Sequence, residues 1–351
     1  MKINIDTQYL QEVLLRLVNT PSPVGDTARG IDACREILCE WDDLRIVETR
    51  KGALVATWRG QQENAPRAVT AHIDTLGAVV KEIKSNGRLR LTQLGTYPWT
   101  AVAIEGVTIQ TQDNGSYRGS IMISNASHHI HRAGDEVDDQ TFDERSMEVR
   151  IDARTRSAKE TRALGIEVGD TIYLDPRPEI NNGFIRSRHL DDKACLASVF
   201  AAVKAIRDMG LEPFQRTTIH VANYEEVGHG GSSGFASDTA EVLAIDIAPL
   251  GSGQNSDEYS CSLCIKDSDG PYDIKMGRKL RRLAREHDIA FKIDTYPEYC
   301  SDGDALWKAG ADVRVALIGP GVDATHGYER THLDALVATA QLIAAYLLDE
   351  D

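Results

Sequence analysis

The first 80 residues alternate between apolar patterns typical of helices and of strands. Leucines and valines at helical spacing predict a helix over Tyr9–Val18, which the following prolines end. A second helix is predicted over Arg29–Trp41 in the same way. Two apolar runs, Ala53–Trp58 and Arg67–Ile73, then predict strands. Two helices followed by two strands indicate the start of an α/β domain.

Near Val80 the pattern changes to short runs in which apolar and polar residues alternate. Asn-Gly, Asp-Asn-Gly and Gly-Asp turns separate the runs, and this spacing is typical of a compact all-β unit. The predicted strands are Arg88–Leu94, Val107–Gln112, Gly119–Ser124, Glu148–Ala153 and Thr171–Leu174. We therefore predict a β-barrel inserted at residues 80–180.

The α/β pattern returns after Asn182-Gly183. The first element of this part is a long apolar helix predicted over Lys193–Met209. The last is a helix that is predicted to start at a capping box of Thr331 with Asp334 and to run to Leu348. Between them lie Thr217–Asn223, Val242–Ile247 and Val313–Ile318 as strands and Lys279–His287 as a helix. Residues 1–79 and 181–351 are thus predicted to form one α/β catalytic domain.

Charge and hydropathy limit the partners of the chain. Its 39 basic and 54 acidic residues give a formal charge of −15, which argues against nucleic acid because phosphate binding needs a basic face. No apolar run approaches the roughly 18 residues of a membrane span, and no signal peptide is visible. We expect a cytoplasmic protein with neither a membrane nor a nucleic acid as partner.

Two local motifs are interpreted as structural. Cys261 and Cys264 form a C-x-x-C, but no second pair completes a zinc site, and their alternating run predicts a strand with buried thiols. His128, His129 and His131 lie in the inserted unit, where a solvated loop is favoured over a third metal site.

Histidines and carboxylates gather at predicted strand ends, where open α/β sheets bind their ligands. His72 ends one strand, and the nearby Asp74 can partner the second nitrogen of a metal-bound imidazole. Asp191-Asp192 starts a helix, where acidic residues are commonly caps. The adjacent Glu225-Glu226 pair repels itself unless cations or a shared proton hold it.

Two further residues complete the set. Asp246 lies within an apolar run and needs a partner if it is buried, and His326 precedes the final helix. Two histidines and three carboxylates from separate segments suit a dinuclear site of Zn²⁺, Co²⁺ or Mn²⁺ rather than Ca²⁺ or Mg²⁺. Two metals about 3.5–4 Å apart acidify a bridging water, and a further carboxylate must then carry the proton. The Glu225-Glu226 pair provides one carboxylate to bind a metal and one to carry the proton.

Seven ordered motifs, spread over nearly the whole chain, resemble the glutamyl, or tetrahedral, aminopeptidase family (class M metallopeptidase family 42). They are PSPVG at Pro21–Gly25, AHIDTLGAVV at Ala71–Val80, LGIEVGD at Leu164–Asp170, RHLDDKA at Arg188–Ala194, YEEVGHGG at Tyr224–Gly231, AIDIAP at Ala244–Pro249 and ATHGYE at Ala324–Glu329. The resemblance implies a phosphorylase/hydrolase-like three-layer α/β/α catalytic domain with an inserted PDZ-like β-barrel domain.

The resemblance also implies a metal set with one shared ligand. Asp191 would bridge two divalent metal ions. One ion would add His72 and Asp246, and the other would add Glu226 and His326.

Catalytic roles and assembly follow from the same resemblance. Glu225 would be the general base and acid, and Asp74 would orient His72. Family members build hollow homo-oligomers, commonly dodecamers, that admit only peptides. We therefore expect a homo-oligomer in which the inserted domain serves oligomerisation or substrate access.

Two segments depart from the family pattern. Ser301–Ala305 stands where Gly-Gly-Thr-Asp-Ala is usual, and Gly321–Thr325 lacks the arginine and tyrosine usual nearby. Both would lie where the terminal residue of the substrate binds. The strings GFIRSRHLDDKA, IDIAPLGSGQNS and GVDATHGYERTH are most similar to a bacterial branch that accompanies synthesis of the osmoprotectant N-acetylglutaminylglutamine amide.

The leading hypothesis is a metal-dependent aminopeptidase that acts on peptides. The alternative is an amidase or deacylase of the same superfamily that acts on a blocked dipeptide or another small amide. A structural shell or metal-storage oligomer is a third interpretation. It predicts tight metal binding without hydrolysis, and it is disfavoured because no core ligand is missing from the sequence.

Overall fold

The computed structural model describes residues 3–113, 115–131, 137 and 139–351. The chain divides into two compact units. The first unit runs to Thr75 and resumes at Arg177–Asp351, and the second unit is Leu76–Pro176. The sequence-based prediction placed the insertion at residues 80–180.

The described residues contain seven α-helices, and apolar spacing explains the long ones. In the first helix Leu10, Leu14 and Leu17 are buried on one face, and the Asp6 carboxylate caps the start by accepting from the Tyr9 N–H at 3.0 Å. The helices are α1 Thr7–Val18, α2 Ala28–Leu38, α3 Ala158–Arg162, α4 Leu190–Asp208, α5 Ile274–Glu286, α6 Asp302–Lys308 and α7 Leu333–Leu348.

Eighteen strands are present in the same described part of the chain. Those of the first unit are β1 Arg45–Glu48, β2 Leu54–Trp58, β3 Gln62–His72, β10 Glu179–Asn181, β11 Phe184–Ser187, β12 Gln215–Ala222, β13 Glu241–Ile245, β14 Ala248–Pro249, β15 Cys261–Lys266, β16 Phe291–Thr295, β17 Arg314–Val322 and β18 Glu329–His332. Those of the second unit are β4 Gly77–Ile83, β5 Leu89–Leu94, β6 Gly106–Gln110, β7 Ser116–Ile123, β8 Met147–Ile151 and β9 Thr171–Leu174.

The first unit is built on a nine-stranded mixed sheet. Its order is β1-β2-β12-β3-β13-β17-β15-β16, and β14 pairs with β17. The four central strands β12, β3, β13 and β17 run parallel, so their carboxyl ends meet at one edge. Apart from the first four residues of β3, these strands are almost wholly buried, as expected for parallel strands that are covered on both faces.

Helices and loops cover both faces of this sheet. One face packs in a large apolar cluster with α1, α2, α4, α5 and α7, and the other packs in a smaller cluster that includes Leu306 of α6. A separate three-stranded sheet has the order β10-β11-β18. The predicted α/β/α class of the catalytic domain is confirmed.

The second unit contains a closed six-stranded barrel in the order β4-β5-β8-β7-β6-β9. Alternate residues such as Leu89, Leu91, Val107 and Ile109 are fully buried and form its core. The barrel predicted from alternating short runs is therefore confirmed, and the structure adds β4, which the sequence pattern did not indicate.

The predicted capping box of the last helix is wrong. Helix α7 begins at Leu333, and its cap is His332, whose Nδ1 accepts from the Asp334 N–H at 3.2 Å. Thr331 lies in β18 instead, and its hydroxyl donates to the Gly321 carbonyl at 2.6 Å. Helix α2 likewise ends at Leu38 rather than at Trp41.

Candidate metal centre

The carboxyl edge of the central strands gathers the predicted donors. His72 is the last residue of β3, and Asp246 directly follows β13. Glu225 and Glu226 lie in a single 3-10 turn after β12, and His326 lies between β17 and β18. Strand polarity alone brings these residues to one place, because parallel strands end at the same edge.

Asp191 contacts histidines from both sides. Its Oδ1 lies 3.1 Å from His72 Nε2, and its Oδ2 lies 3.6 Å from His326 Nε2. His326 Nε2 is also 3.6 Å from Glu226 Oε2, and His72 Nε2 is 3.6 Å from Glu225 Oε2. Asp191 has non-helical backbone angles within the first turn of α4, so it is not the ordinary helix cap that its position suggested.

Two groups of possible metal ligands result among the residues that the structure describes. In each group the ligand atoms all lie within 4.8 Å of one another. One group is His72, Asp192 and Asp246, and the other is Asp191, Glu226 and His326. Asp192 was not predicted as a donor, and its Oδ2 also accepts from the His72 N–H at 3.0 Å.

Asp74 holds both the imidazole and the glutamate pair. Its carbonyl oxygen lies 2.9 Å from His72 Nδ1, so a proton on Nδ1 leaves Nε2 free to bind a metal. Its carboxylate accepts from the N–H groups of Glu225 at 3.2 Å and Glu226 at 3.1 Å. The carboxylate is 3.7 Å from His72 Nδ1, so the closer contact to the ring is made by the main chain.

Glu329 is a buried residue of the site that sequence reasoning missed. Its Oε2 accepts from the N–H groups of Leu190 at 2.6 Å and Asp191 at 3.2 Å, and its Oε1 accepts from the His326 N–H at 3.2 Å. It therefore ties together the two segments that carry Asp191 and His326. The only sequence signal was its place at the end of the ATHGYE motif.

Burial and mutual repulsion disturb the acids of this cluster. Burial is the first cause that raises the pKa of Glu225, Glu226 and Asp192, and neighbouring carboxylates raise it further. The pKa of Asp246 rises to about 8 for the same two reasons. Burial would raise the pKa of Asp191 as well, but hydrogen bonds with His326 and His72 lower it below the usual range.

The donor set fits divalent cations. Buried carboxylate oxygens on Glu226 (Oε1) and Asp192 (Oδ1) have no hydrogen-bond partner within the described part of the chain. Unpartnered buried charges are costly unless a cation compensates them. Mixed nitrogen and oxygen donors favour Zn²⁺, Co²⁺ or Mn²⁺.

The two departing segments have clear structural positions. Ser301 caps α6 in a capping box with Asp304. Asp302 is buried against the glycine loop Gly228–Gly231, where its Oδ1 accepts from the Gly231 N–H at 2.5 Å. Gly321 is the next-to-last residue of β17. The Asp323 N–H donates to the Arg330 carbonyl at 2.7 Å.

The remaining motifs contribute no residue to the two ligand groups found among the described residues. His128 and His129 are exposed and belong to neither ligand group. Cys261 and Cys264 are buried free thiols in β15, as predicted. Over the described ranges, no helix is both long and apolar enough to cross a membrane.

Comparison with solved structures supports the fold. A TET aminopeptidase from a marine sediment archaeon (Thaumarchaeota) matches with a TM-score of 0.87 and 18% identity, over 97% of each chain. The TET1 peptidase of Pyrococcus horikoshii, which can assemble into a tetrahedron or a large octahedral shell, matches with a TM-score of 0.81 and 20% identity, over 97% of this chain and 99% of that one.

Sequence comparison identifies the family. YhfE of Bacillus subtilis (strain 168), named as a candidate aminopeptidase, is 40% identical over 337 residues, which are 96% of each chain. The lysyl aminopeptidase of Pyrococcus furiosus is 26% identical over 82% of this chain and 81% of that protein. The family model of the M42 glutamyl aminopeptidases matches residues 52–342. The chain therefore belongs to the M42 glutamyl aminopeptidase family of metal-dependent hydrolases.

Proposed function

We propose that this protein is a cytoplasmic two-metal aminopeptidase that removes N-terminal residues from peptides. In this proposal Asp191 bridges the two ions. His72 and Asp246 complete one metal site, and Glu226 and His326 complete the other. The ions would be Zn²⁺, Co²⁺ or Mn²⁺.

One observation carries the proposal. Asp191 reaches both histidines, at 3.1 Å and 3.6 Å, while each histidine belongs to a different group of ligand atoms. A carboxylate between two donor groups is the arrangement that a shared ligand of two cations requires. Glu226 Oε1, which has no hydrogen-bond partner in the part of the chain that the structure describes, supports the same assignment.

Glu225 is assigned to proton transfer. When bound, two divalent ions supply an acidified water and stabilise the charge on the carbonyl oxygen of the substrate. Glu225 would take the proton from the attacking water and return it to the leaving amine. Asp74 positions Glu225 for this task, because its carboxylate accepts from the Glu225 N–H.

Assembly is also part of the proposal. We expect a homo-oligomer, because TET peptidases of the same fold are described as a dodecamer and as tetrahedral or octahedral shells. The barrel unit would serve subunit contacts or substrate access. Static light scattering on the purified protein would measure the number of 38.6 kDa subunits, with twelve expected.

The test combines a substitution with metal analysis. Glu225→Gln should lower the kcat for amino-acid p-nitroanilides by about 10²–10⁴-fold, because it removes the proton carrier. Two metal ions per subunit should remain bound, as measured by elemental analysis. Glu350→Gln is the matched control, because Glu350 is exposed, and it should leave kcat and metal content unchanged.

Three outcomes would contradict the proposal. Full activity of Glu225→Gln would exclude this residue as the proton carrier. Cleavage of N-acetylated dipeptide amides in place of the p-nitroanilides would favour the amidase or deacylase alternative, whose motivation is the departure at Ser301–Ala305 and Gly321–Thr325. Tight metal binding without any hydrolysis would favour a storage protein.

A further inference from the structure

A cavity lies against helix α5, among residues that are not donors of the metal centre. Its volume is about 290 Å³, and its walls include Leu263, Ile265, Tyr272 and Ile274. The lining is mostly apolar. Small-molecule sites typically start near ~300 Å³ and combine an apolar lining with a few polar groups.

A helical glycine keeps the cavity open. Gly277 lies inside α5 and lines the cavity, and among the described residues a Cβ at this position would meet only Leu263 Cδ2, at 3.9 Å. Neither close packing nor a left-handed backbone therefore requires glycine here. Glycine within a helix lowers stability relative to alanine. At this position the missing side chain leaves the cavity open.

Two arginines of α5 line the same cavity without ion pairs. Within the described ranges, no carboxylate pairs with Arg278 or Arg281, and the buried Arg281 Nε has no hydrogen-bond partner. Their neighbours on the helix are paired: Lys279 Nζ lies 3.0 Å from Glu241, and Arg282 Nη2 lies 2.8 Å from Asp349. In a chain with a charge of −15, unpaired arginines beside an apolar cavity indicate an anionic ligand.

The other polar groups of the lining are already engaged. The Asp273 carboxylate caps α5 by accepting from the N–H groups of Lys275 and Met276, both at 2.9 Å. The Tyr272 hydroxyl contacts Ser301 Oγ at 2.8 Å and donates to Asp304 at 2.8 Å. The lining therefore offers two cationic donors against one carboxylate, and Oδ1 of that carboxylate already accepts two N–H groups, so the net charge of the lining favours an anionic group over an ammonium group.

We propose that this cavity binds a small monocarboxylate with an apolar body, about the size of octanoate. The apolar chain would fill the space beside Gly277, and the carboxylate would pair with Arg281 and Arg278. An apolar cavity of ~150 Å³ holds a benzene ring, so about twice that volume accommodates a short alkyl or aryl chain.

Isothermal titration calorimetry on the metal-loaded, full-length protein tests this site with octanoate and with octanamide, its uncharged analogue. Octanoate should bind at least about tenfold more tightly than octanamide, because only the carboxylate pairs with arginine. Arg281→Gln should weaken octanoate binding to the level of octanamide. Lys275→Gln is the matched control, because Lys275 is an exposed cation of α5 that does not line the cavity, and it should stay within twofold of the wild type.

Filling the cavity gives an independent test. Gly277→Leu should abolish the binding of both probes while peptidase activity is retained, because α5 contributes no residue to the metal centre. Gly277→Ala checks that a side chain at this position is compatible with folding, and it should lower octanoate affinity only partly.

Several results would overturn the proposal. Equal binding of octanoate and octanamide would exclude recognition of the carboxylate. Octanoate binding that survives Arg281→Gln and inhibits peptide hydrolysis would place the ligand at the metal centre. Absence of octanoate binding, together with a change of oligomer mass in Gly277→Leu, would mean that a second copy of the chain covers the cavity.

Discussion

At the scale of single residues, Glu329 shows how a buried carboxylate can organise a site without being counted among its ligands. It accepts hydrogen bonds from three main-chain N–H groups, which belong to the segments of Asp191 and His326. Burial is the main cause that raises its pKa to about 8, and the charge of Asp191 adds to this effect. Its proposed role is to position metal ligands.

Glu329→Gln should therefore weaken metal binding rather than unfold the protein. We expect metal affinity to fall by about 10–100-fold, because outer partners of ligands commonly contribute this much. Competition with a fluorescent chelator measures the affinity, and circular dichroism checks the fold. Glu179→Gln is the control, because Glu179 is exposed on β10 of the same small sheet. Unchanged metal affinity in Glu329→Gln would show that these hydrogen bonds do not position the ligands.

His220 makes the stability of the protein sensitive to acid. It is buried in β12, where its Nδ1 lies 2.8 Å from Thr70 Oγ1 and its Nε2 has no hydrogen-bond partner among the described residues. Burial lowers its pKa from 6.5 to about 3, with a smaller contribution from the charge of Lys51. Below pH ~6.5 the unfolded chain therefore binds a proton at His220 that the native protein does not bind, so stability falls as the pH falls.

The expected size of this effect is about 2 kcal/mol between pH 7 and pH 5. Urea unfolding of metal-free wild-type protein and of His220→Gln at both pH values measures it. The wild type should lose about 2 kcal/mol more than the variant. The same loss in both proteins would mean that His220 binds its proton equally well in the native and unfolded states.

The metal donors could be anticipated from sequence because they stand at strand ends, where chain polarity alone determines their position. Asp192 and Glu329 could not be anticipated in this way. Their contacts are with main-chain N–H groups of distant segments, such as the His72 N–H for Asp192. Such N–H groups exist at every residue except proline, so the sequence does not show which of them will donate to a buried carboxylate.

At the scale of elements, the glycine loop after Glu225 packs directly against α6. A Cβ on Gly231 would lie 2.3 Å from the Asp302 carbonyl oxygen, and a Cβ on Gly230 would lie 2.9 Å from the Glu225 main chain. Two main-chain segments thus meet without side chains between them. The position of Glu225 depends on this close contact.

Gly231→Ala should therefore displace the loop that carries Glu225. We expect the free energy of unfolding to fall by about 1–3 kcal/mol, as at other overpacked sites. We expect kcat to fall by a larger fraction of its wild-type value than the free energy of unfolding does. Gly251→Ala is the control, because a Cβ at Gly251 would meet no atom of the described residues within 4 Å. Normal kcat in Gly231→Ala would show that the loop can move without disturbing Glu225.

Element boundaries were predictable where local spacing sets them and failed where a distant partner does. The apolar spacing of α1 predicted its core residues and its end at Val18. The start of α7 was misjudged, because Thr331 is held by Gly321 ten residues away, and strand β18 then continues to His332. Strand β16 was missed, because its first three residues are only partly buried and lack a clear apolar alternation.

At the scale of the whole molecule, Ile104 is a feature of the barrel unit that isolated folding does not explain. This residue is 80% exposed and has a φ of 64°. A β-branched side chain is unfavourable in the left-handed region, and a large apolar side chain is unfavourable in water. Both disadvantages are accounted for if Ile104 contacts another subunit in the proposed homo-oligomer.

Ile104→Asn should leave the fold intact and weaken assembly. Asparagine adopts a positive φ more readily than isoleucine, so the variant barrel should be at least as stable. Light scattering should show smaller species than in the wild type at the same concentration. Val47→Thr is the control, because Val47 is 49% exposed on β1 of the first unit. An unchanged mass would exclude Ile104 from the subunit contacts.

The arrangement of the central strands also governs when activity can arise during synthesis. The proposed metal ligands are spread along the chain from His72 to His326. His326 follows the last central strand, β17. Because chains emerge from the ribosome amino terminus first, a subunit still under construction lacks one of its two imidazoles. A nascent chain therefore acquires its proposed hydrolytic chemistry only after β17 and the segment that carries His326 have been made.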